Sequence, residues 1–129
     1  MANEVTASFS IAYDDGLQER ALEVADRIFS SAGQRVTCLI QTVGITEEAV
    51  LLGDIASIGP FAIVNLDPTN YVEVKVATAG AIFARLAPDV DADGKGGWVA
   101  MTRLGSGAQV PYMIANTAVC KVAILIAEV

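Results

Sequence analysis

The sequence predicts an all-β fold, a jelly-roll-like β-sandwich of about eight to ten short antiparallel strands with little helix. Short apolar or alternating runs recur at roughly ten-residue spacing. Clusters of Gly, Pro, Asn and Asp separate these runs, and the runs themselves are rich in β-branched and aromatic residues. Neither an internal repeat nor a linker divides the chain, so residues 1–129 are interpreted as a single β-sandwich domain.

The N-terminal segment gives the clearest strand signal. Residues 5–13 alternate apolar and small polar side chains until residues 14–16 break the pattern with Asp-Asp-Gly. Residues 17–30 are ambiguous, because some apolar positions follow helical spacing with charges opposite, namely Leu17, Ala21, Val24 and Ile28. A helix and a strand are both open interpretations of that segment.

The centre of the chain, residues 60–88, predicts a β-meander. Three extended runs are separated by turns at residues 65–70 and 77–80, which supply Asx, proline and glycine. In the middle run Glu73 and Lys75 alternate with valines, which indicates one core-facing side. Further strands are expected at 35–43, 47–52, 98–104, 110–114 and 118–127.

Charge and composition limit the classes of function. The formal charge of −7 opposes direct nucleic-acid binding, which depends on clustered Lys and Arg. No apolar run approaches the ~18 residues of a membrane helix, and the first residues do not look like a signal peptide. The absence of histidine excludes Ser-His and Cys-His pairs and histidine-bound zinc. We therefore expect a protein that is neither an enzyme nor a membrane protein.

Cys38 and Cys120 are the only cysteines, and each lies in an apolar run. Free thiols in such runs usually behave as small buried hydrophobes. We expect both thiols to be reduced and buried.

One loop resembles a metal site. Asp89, Asp91 and Asp93 stand at alternate positions before Gly94, as in the first half of a calcium loop. The twelfth loop position falls on Ala100, where a bidentate Glu is needed, so we favour an acidic surface loop over a calcium site and expect no other cofactor. Triple replacement of these aspartates by Asn should then leave folding and assembly nearly intact.

The last apolar run predicts self-association. Residues 118–127 are apolar on both faces, whereas a two-layer sandwich covers only one face of each strand. The other face needs a second cover, and a neighbouring copy of the chain would supply it. Trp98, the only tryptophan, is expected in the core or in a subunit contact. The candidate interface residues are Val119, Ala123, Leu125, Ala127 and Trp98.

Four stretches carry a resemblance to a known class of protein: QTVGITEEAVLLGDI, NLDPTNYVEVKV, AIFARLAPD and ANTAVCKVAILIAEV. They resemble small structural proteins of tailed bacteriophages, over residues 35–129. The resemblance implies a β-sandwich or jelly-roll subunit, with the segment at 22–30 extended rather than helical. It implies a capsid decoration or cement protein that assembles in the host cytoplasm and resides in the virion. Its partners would be the major capsid protein and two further copies of itself, in a homotrimer.

Two other interpretations remain open beside the capsid one. The first is a component of the tail, neck or head fibre. The second is a lectin-like binding module, or an enzyme on a jelly-roll scaffold.

Overall fold

A computed structural model describes residues 4–14, 16–30, 35–91, 96–101 and 109–128. These residues form ten strands and no helix, which confirms the predicted all-β sandwich. None of the described segments could therefore cross a membrane as a helix. The strands are β1 Glu4–Asp14, β2 Glu19–Ser30, β3 Val36–Val43, β4 Glu48–Ala49, β5 Ile58–Asn65, β6 Val72–Lys75, β7 Ile82–Leu86, β8 Trp98–Met101, β9 Tyr112–Ala115 and β10 Cys120–Glu128.

Eight of the strands form two four-stranded antiparallel sheets, in the orders β3-β10-β5-β8 and β4-β9-β6-β7. The pairing is nested: β6 pairs with β7, β5 with β8, β4 with β9 and β3 with β10. One long hairpin of the chain is thus wound around itself, which is the topology of a jelly roll. We call the sheet β3-β10-β5-β8 the first sheet and the sheet β4-β9-β6-β7 the second sheet.

The core lies between the two sheets. Alternate residues of each strand point inward, as the period of two in the sequence requires. From β10 the inward side chains are Val122, Ile124 and Ile126, all buried. Opposite them the second sheet contributes a further apolar set, Val72, Val74, Leu86 and Met113.

The ambiguous segment at residues 17–30 is extended. It forms β2, which pairs antiparallel with β1 over nearly its whole length. Gly16 closes the turn with φ +80°, and its N–H donates to Asp14 Oδ1 at 2.8 Å. The helical spacing is misleading because pairing with β1 satisfies the backbone of this segment without a helix.

The predicted β-meander at residues 60–88 is wrong in its topology. β5 lies in the first sheet, whereas β6 and β7 form a hairpin in the second sheet. The turn between β5 and β6 is stabilised by Asp67, whose Oδ1 accepts the N–H groups of Thr69 and Asn70 at 2.8 and 2.6 Å. That turn carries the chain from one sheet to the other. The strand expected at 47–52 also shrinks to the two residues of β4.

Candidate interaction surface

The side of the first sheet that faces away from the core carries two apolar rows that cross all four strands. The strand register aligns Ile40, Ala123, Val64 and Trp98 in one row. It aligns Cys38, Leu125, Ala62 and Ala100 in the next row. We call these eight residues, together with Val36 at the start of β3, the outer face.

The outer face is open to solvent although its side chains are apolar. Ile40 is 64% exposed, Trp98 54% and Leu125 45%, and Val36 is exposed as well. Four strands at about 4.8 Å spacing and about 20 Å of strand length give an area on the order of 400 Å². Contiguous apolar patches of a few hundred Å² are often functional in soluble proteins.

Trp98 is held at the edge of the outer face by two glycines. The Gly97 N–H donates to the Ala87 carbonyl at 2.9 Å, and the Gly97 carbonyl accepts the N–H of Asn65 at 2.9 Å. A Cβ at Gly96 or Gly97 would collide with the backbone of Asn65 or Ala87, respectively. The Gly-Gly pair therefore allows the close approach that fixes the start of β8 and hence the position of Trp98.

The structure brings together three of the five predicted interface residues. Ala123, Leu125 and Trp98 share the outer face. Val119 is exposed, but it lies in the loop just before β10. Ala127 pairs with Val36 in the continuous register of β3 and β10, but its side chain is buried within the single chain.

Sequence reasoning missed the contribution of β3. Val36, Cys38 and Ile40 stand at alternate positions, and this period of two was the available signal. The opposite side of β3 carries Gln41, a polar residue that is nevertheless buried. Its Oε1 accepts the N–H of Leu51 at 2.9 Å and its Nε2 donates to Ala49 O at 3.0 Å, which compensates for the burial.

The two cysteines differ in their environments. Both are free thiols, and Cys120 is buried as expected. Burial, with a smaller contribution from the charge of Asp67, raises the pKa of the Cys120 thiol to about 11. The prediction of burial is wrong for Cys38, which is exposed because it lies on the outer face beside Leu125.

The acidic loop does not form the expected group of three surface carboxylates. Asp89 is only 6% exposed, and its N–H donates to the Asp67 carbonyl at 2.7 Å, so its assignment as a surface residue is wrong. Asp91 is exposed, and Asp93 lies outside the described residues. Within the described ranges no group of three or more His, Cys, Asp or Glu could hold a metal ion.

Polar and charged groups around Glu47 stabilise the turn between β6 and β7 in the second sheet. Glu47 Oε2 accepts the N–H of Ala79 at 2.7 Å and the hydroxyl of Thr78 at 2.9 Å, and Oε1 pairs with Lys75 Nζ at 2.9 Å. The Ala79 N–H, followed by Lys75 and Thr78, lowers the pKa of Glu47 to about 2. These contacts hold Ala79 at φ +51°, a conformation that alanine rarely adopts.

Comparisons with protein families, curated protein sequences and solved structures find no match to this chain.

Proposed function

We propose that this chain is a non-enzymatic structural protein of a bacteriophage virion. Its most specific form is a capsid decoration or cement protein, a homotrimer that binds and stabilises the shell of major capsid protein. The observation that carries the proposal is the outer face, an exposed apolar surface that crosses a complete sheet. Such a surface needs a protein partner to remove it from water.

The fold and the charge are compatible with that role. Jelly rolls are used by viral capsid proteins, and also by lectins and cupins, so the fold alone does not choose between them. The placement in a virion rests on the resemblance of residues 35–129 to phage structural proteins. A net charge of −7 would keep free subunits soluble before assembly.

The test is to locate the chain in particles of the phage that encodes it. Particles are separated into capsids and tails, and the chain is quantified by mass spectrometry in each fraction. We expect it in the capsid fraction at a fixed ratio to the major capsid protein. Recovery with tails or necks would favour a tail, neck or head-fibre component, and absence from all fractions would refute a virion role.

A matched pair of variants tests whether the outer face is needed. Leu125→Asp places a charge on the outer face, whereas Ile82→Asp places one on β7 of the second sheet at nearly the same exposure, 45% against 48%. We expect the first variant to be missing from particles and the second to be retained. Equal incorporation of both would show that the outer face is not required. A glycan array on the purified protein tests the lectin-like alternative.

A further inference from the structure

The structure contains a second surface that needs a cover, the β1–β2 hairpin. Among the described residues, β1 and β2 pair only with each other and belong to neither four-stranded sheet. An isolated two-stranded hairpin is at best marginally stable in water. This hairpin also presents apolar side chains to solvent: Ile11 stands opposite Leu22, and both are exposed, as is Tyr13.

We propose that the β1–β2 hairpin of one copy of the chain covers the outer face of a second copy. The proposal rests on the proposed function, in which the outer face is buried during assembly, and it names the occupant of that face. The hairpin face that docks is the one that carries Ile11 and Leu22. The opposite hairpin face, where Ala12 stands opposite Ala21, stays toward solvent.

The hairpin is long enough to span the outer face. A paired segment of 11 residues, the length of β1, extends about 36 Å at ~3.3 Å per residue, and two strands are about 10 Å wide. The outer face is about 20 Å long and four strands wide, so one hairpin spans its full length and covers about half of its width. Sheet-on-sheet packing of this kind is the usual way in which two apolar β surfaces bury each other.

The presence of both surfaces on every copy favours a second copy as the occupant. One docked hairpin, which covers about half of the outer face, would bury about 200 Å² on each side, or about 400 Å² in total, which is small for a stable interface. Every copy, however, carries both a hairpin and an outer face, so it takes part in two contacts, one as donor and one as acceptor. Together they bury about 800 Å², twice the area of a one-way contact and within the range of weak, reversible interfaces. Reciprocal exchange in a dimer and a closed ring both provide two contacts for each copy.

The native thiol of Cys38 allows a direct test, because it lies on the outer face beside Leu125. The variants Ile11→Cys and Leu22→Cys would place a second thiol on the docking face of the hairpin, and Ala12→Cys would place one on the opposite face. The purified full-length variants are treated with a short bifunctional maleimide and resolved on a denaturing gel. We expect covalent dimers from the first two variants and few from Ala12→Cys. The dimers should disappear when Cys38→Ser is added.

Three outcomes of the cross-linking would overturn the proposal. A link between position 11 or 22 and Cys38 within a single chain would show that the hairpin covers its own sheet. Equal cross-linking of the Ile11→Cys and Ala12→Cys variants would show that no face of the hairpin is preferred. Dimers that persist with Cys38→Ser would place the contact elsewhere.

Light scattering provides a second, independent measurement. The parent chain should have a multiple of the 13.4 kDa subunit mass at micromolar concentration. The double variant Ile11→Asp with Leu22→Asp should be monomeric, and its matched control, Ala12→Asp with Ala21→Asp, should not. In the monomeric variant Cys38 should react several-fold faster with a bulky maleimide, while Cys120 stays unreactive and so reports an intact sandwich.

A monomeric parent chain, or a double variant that still assembles, would refute the hairpin exchange. Because these experiments use the purified chain alone, their failure is distinct from failure of the virion role. A chain that is found in capsids but is monomeric in solution would leave the proposed function standing and remove this inference.

Discussion

Replacing Asn65 by alanine should destabilise the sandwich more than any change at an exposed asparagine. Asn65 ends β5 and is 0% exposed. Its Nδ2 donates to the carbonyls of Asn70, Leu86 and Ala87 at 2.8, 3.0 and 3.1 Å. Its Oδ1 accepts the N–H of Asp67 at 3.0 Å. One side chain thus links the end of β5, in the first sheet, to the turn between β5 and β6 and to the end of β7, in the second sheet.

The size of the effect follows from the groups that would lose a partner. Alanine leaves the carbonyls of Asn70 and Leu86 and the N–H of Asp67 without the contacts that Asn65 gives them. Ala87 O keeps the N–H of Gly97, at 2.9 Å, as a donor. At roughly 1 kcal/mol for each group left without its partner, the free energy of unfolding should fall by about 3 kcal/mol. That is a large share of the ~5–15 kcal/mol that stabilises an ordinary domain.

Urea unfolding at a fixed protein concentration measures this loss, with Asn116→Ala, at an exposed asparagine, as the control. We expect a lower midpoint with an unchanged m-value for Asn65→Ala, and almost no change for the control. Asn65→Asp should be at least as damaging at neutral pH, because a carboxylate would face carbonyl oxygens. A loss below about 1 kcal/mol in Asn65→Ala would refute the view that this residue links the two sheets.

Three further predictions concern other parts of the chain. The folded pKa of Glu47, about 2, lies below its usual 4.5. The stability that the ionised carboxylate contributes is therefore complete above pH 4.5 and is lost as the pH falls through 2. Between these pH values, acid titration should destabilise the parent protein more than the Glu47→Gln variant. Ala79→Gly should raise the free energy of unfolding by about 0.5–1 kcal/mol in urea, because glycine accepts a positive φ without strain. Mass spectrometry after alkylation of the unassembled native chain should find Cys38 modified and Cys120 protected, and modification of Cys120 before unfolding would contradict its burial.

The sequence could predict the extended segments because most of them carry a period of two. Residues 5–13 alternate cleanly and become β1. Residues 17–30 could not be decided from their own pattern, because their apolar positions also fit a helix. Their strand conformation depends on the register with β1, in which Ile11 meets Leu22. The pairing depends on both segments, so the sequence of either segment alone does not predict it.

The nesting of the strands is also a long-range property. The pairing of β3 with β10 joins the beginning of the sandwich to its end, while the sequence at residues 60–88 suggested that neighbouring strands pair in order. A turn sequence such as residues 65–70 predicts a reversal of the chain, but it does not determine whether the next strand stays in the same sheet. Here the buried side chain of Asn65 fixes the crossing, since it bonds to segments on both sides of the turn.

The choice of inner and outer sides in β3 could not be predicted from hydropathy alone. Both sides of this strand carry apolar residues, and the buried side includes the polar Gln41. Gln41 is placed inward because its amide satisfies two backbone groups near β4. Cys38 and Ile40 therefore face outward, although their own hydropathy favours burial.

The outer face is limited by exposed polar side chains at one end of β10 and by a buried, hydrogen-bonded strand end at the other. At one end Lys121, which is exposed, pairs in register with Thr42. At the other end the N–H of Glu128 donates to Arg35 O at 2.9 Å, and its Oε1 accepts the N–H of Ala56 at 3.0 Å, which fixes the end of the strand. Lys121 and Thr42, both exposed, give the apolar rows a polar edge at one end, like part of the rim of a specific protein interface. A partner that slid along β10 by two residues would place apolar groups over Lys121, so the rim defines a register that the apolar rows alone would not.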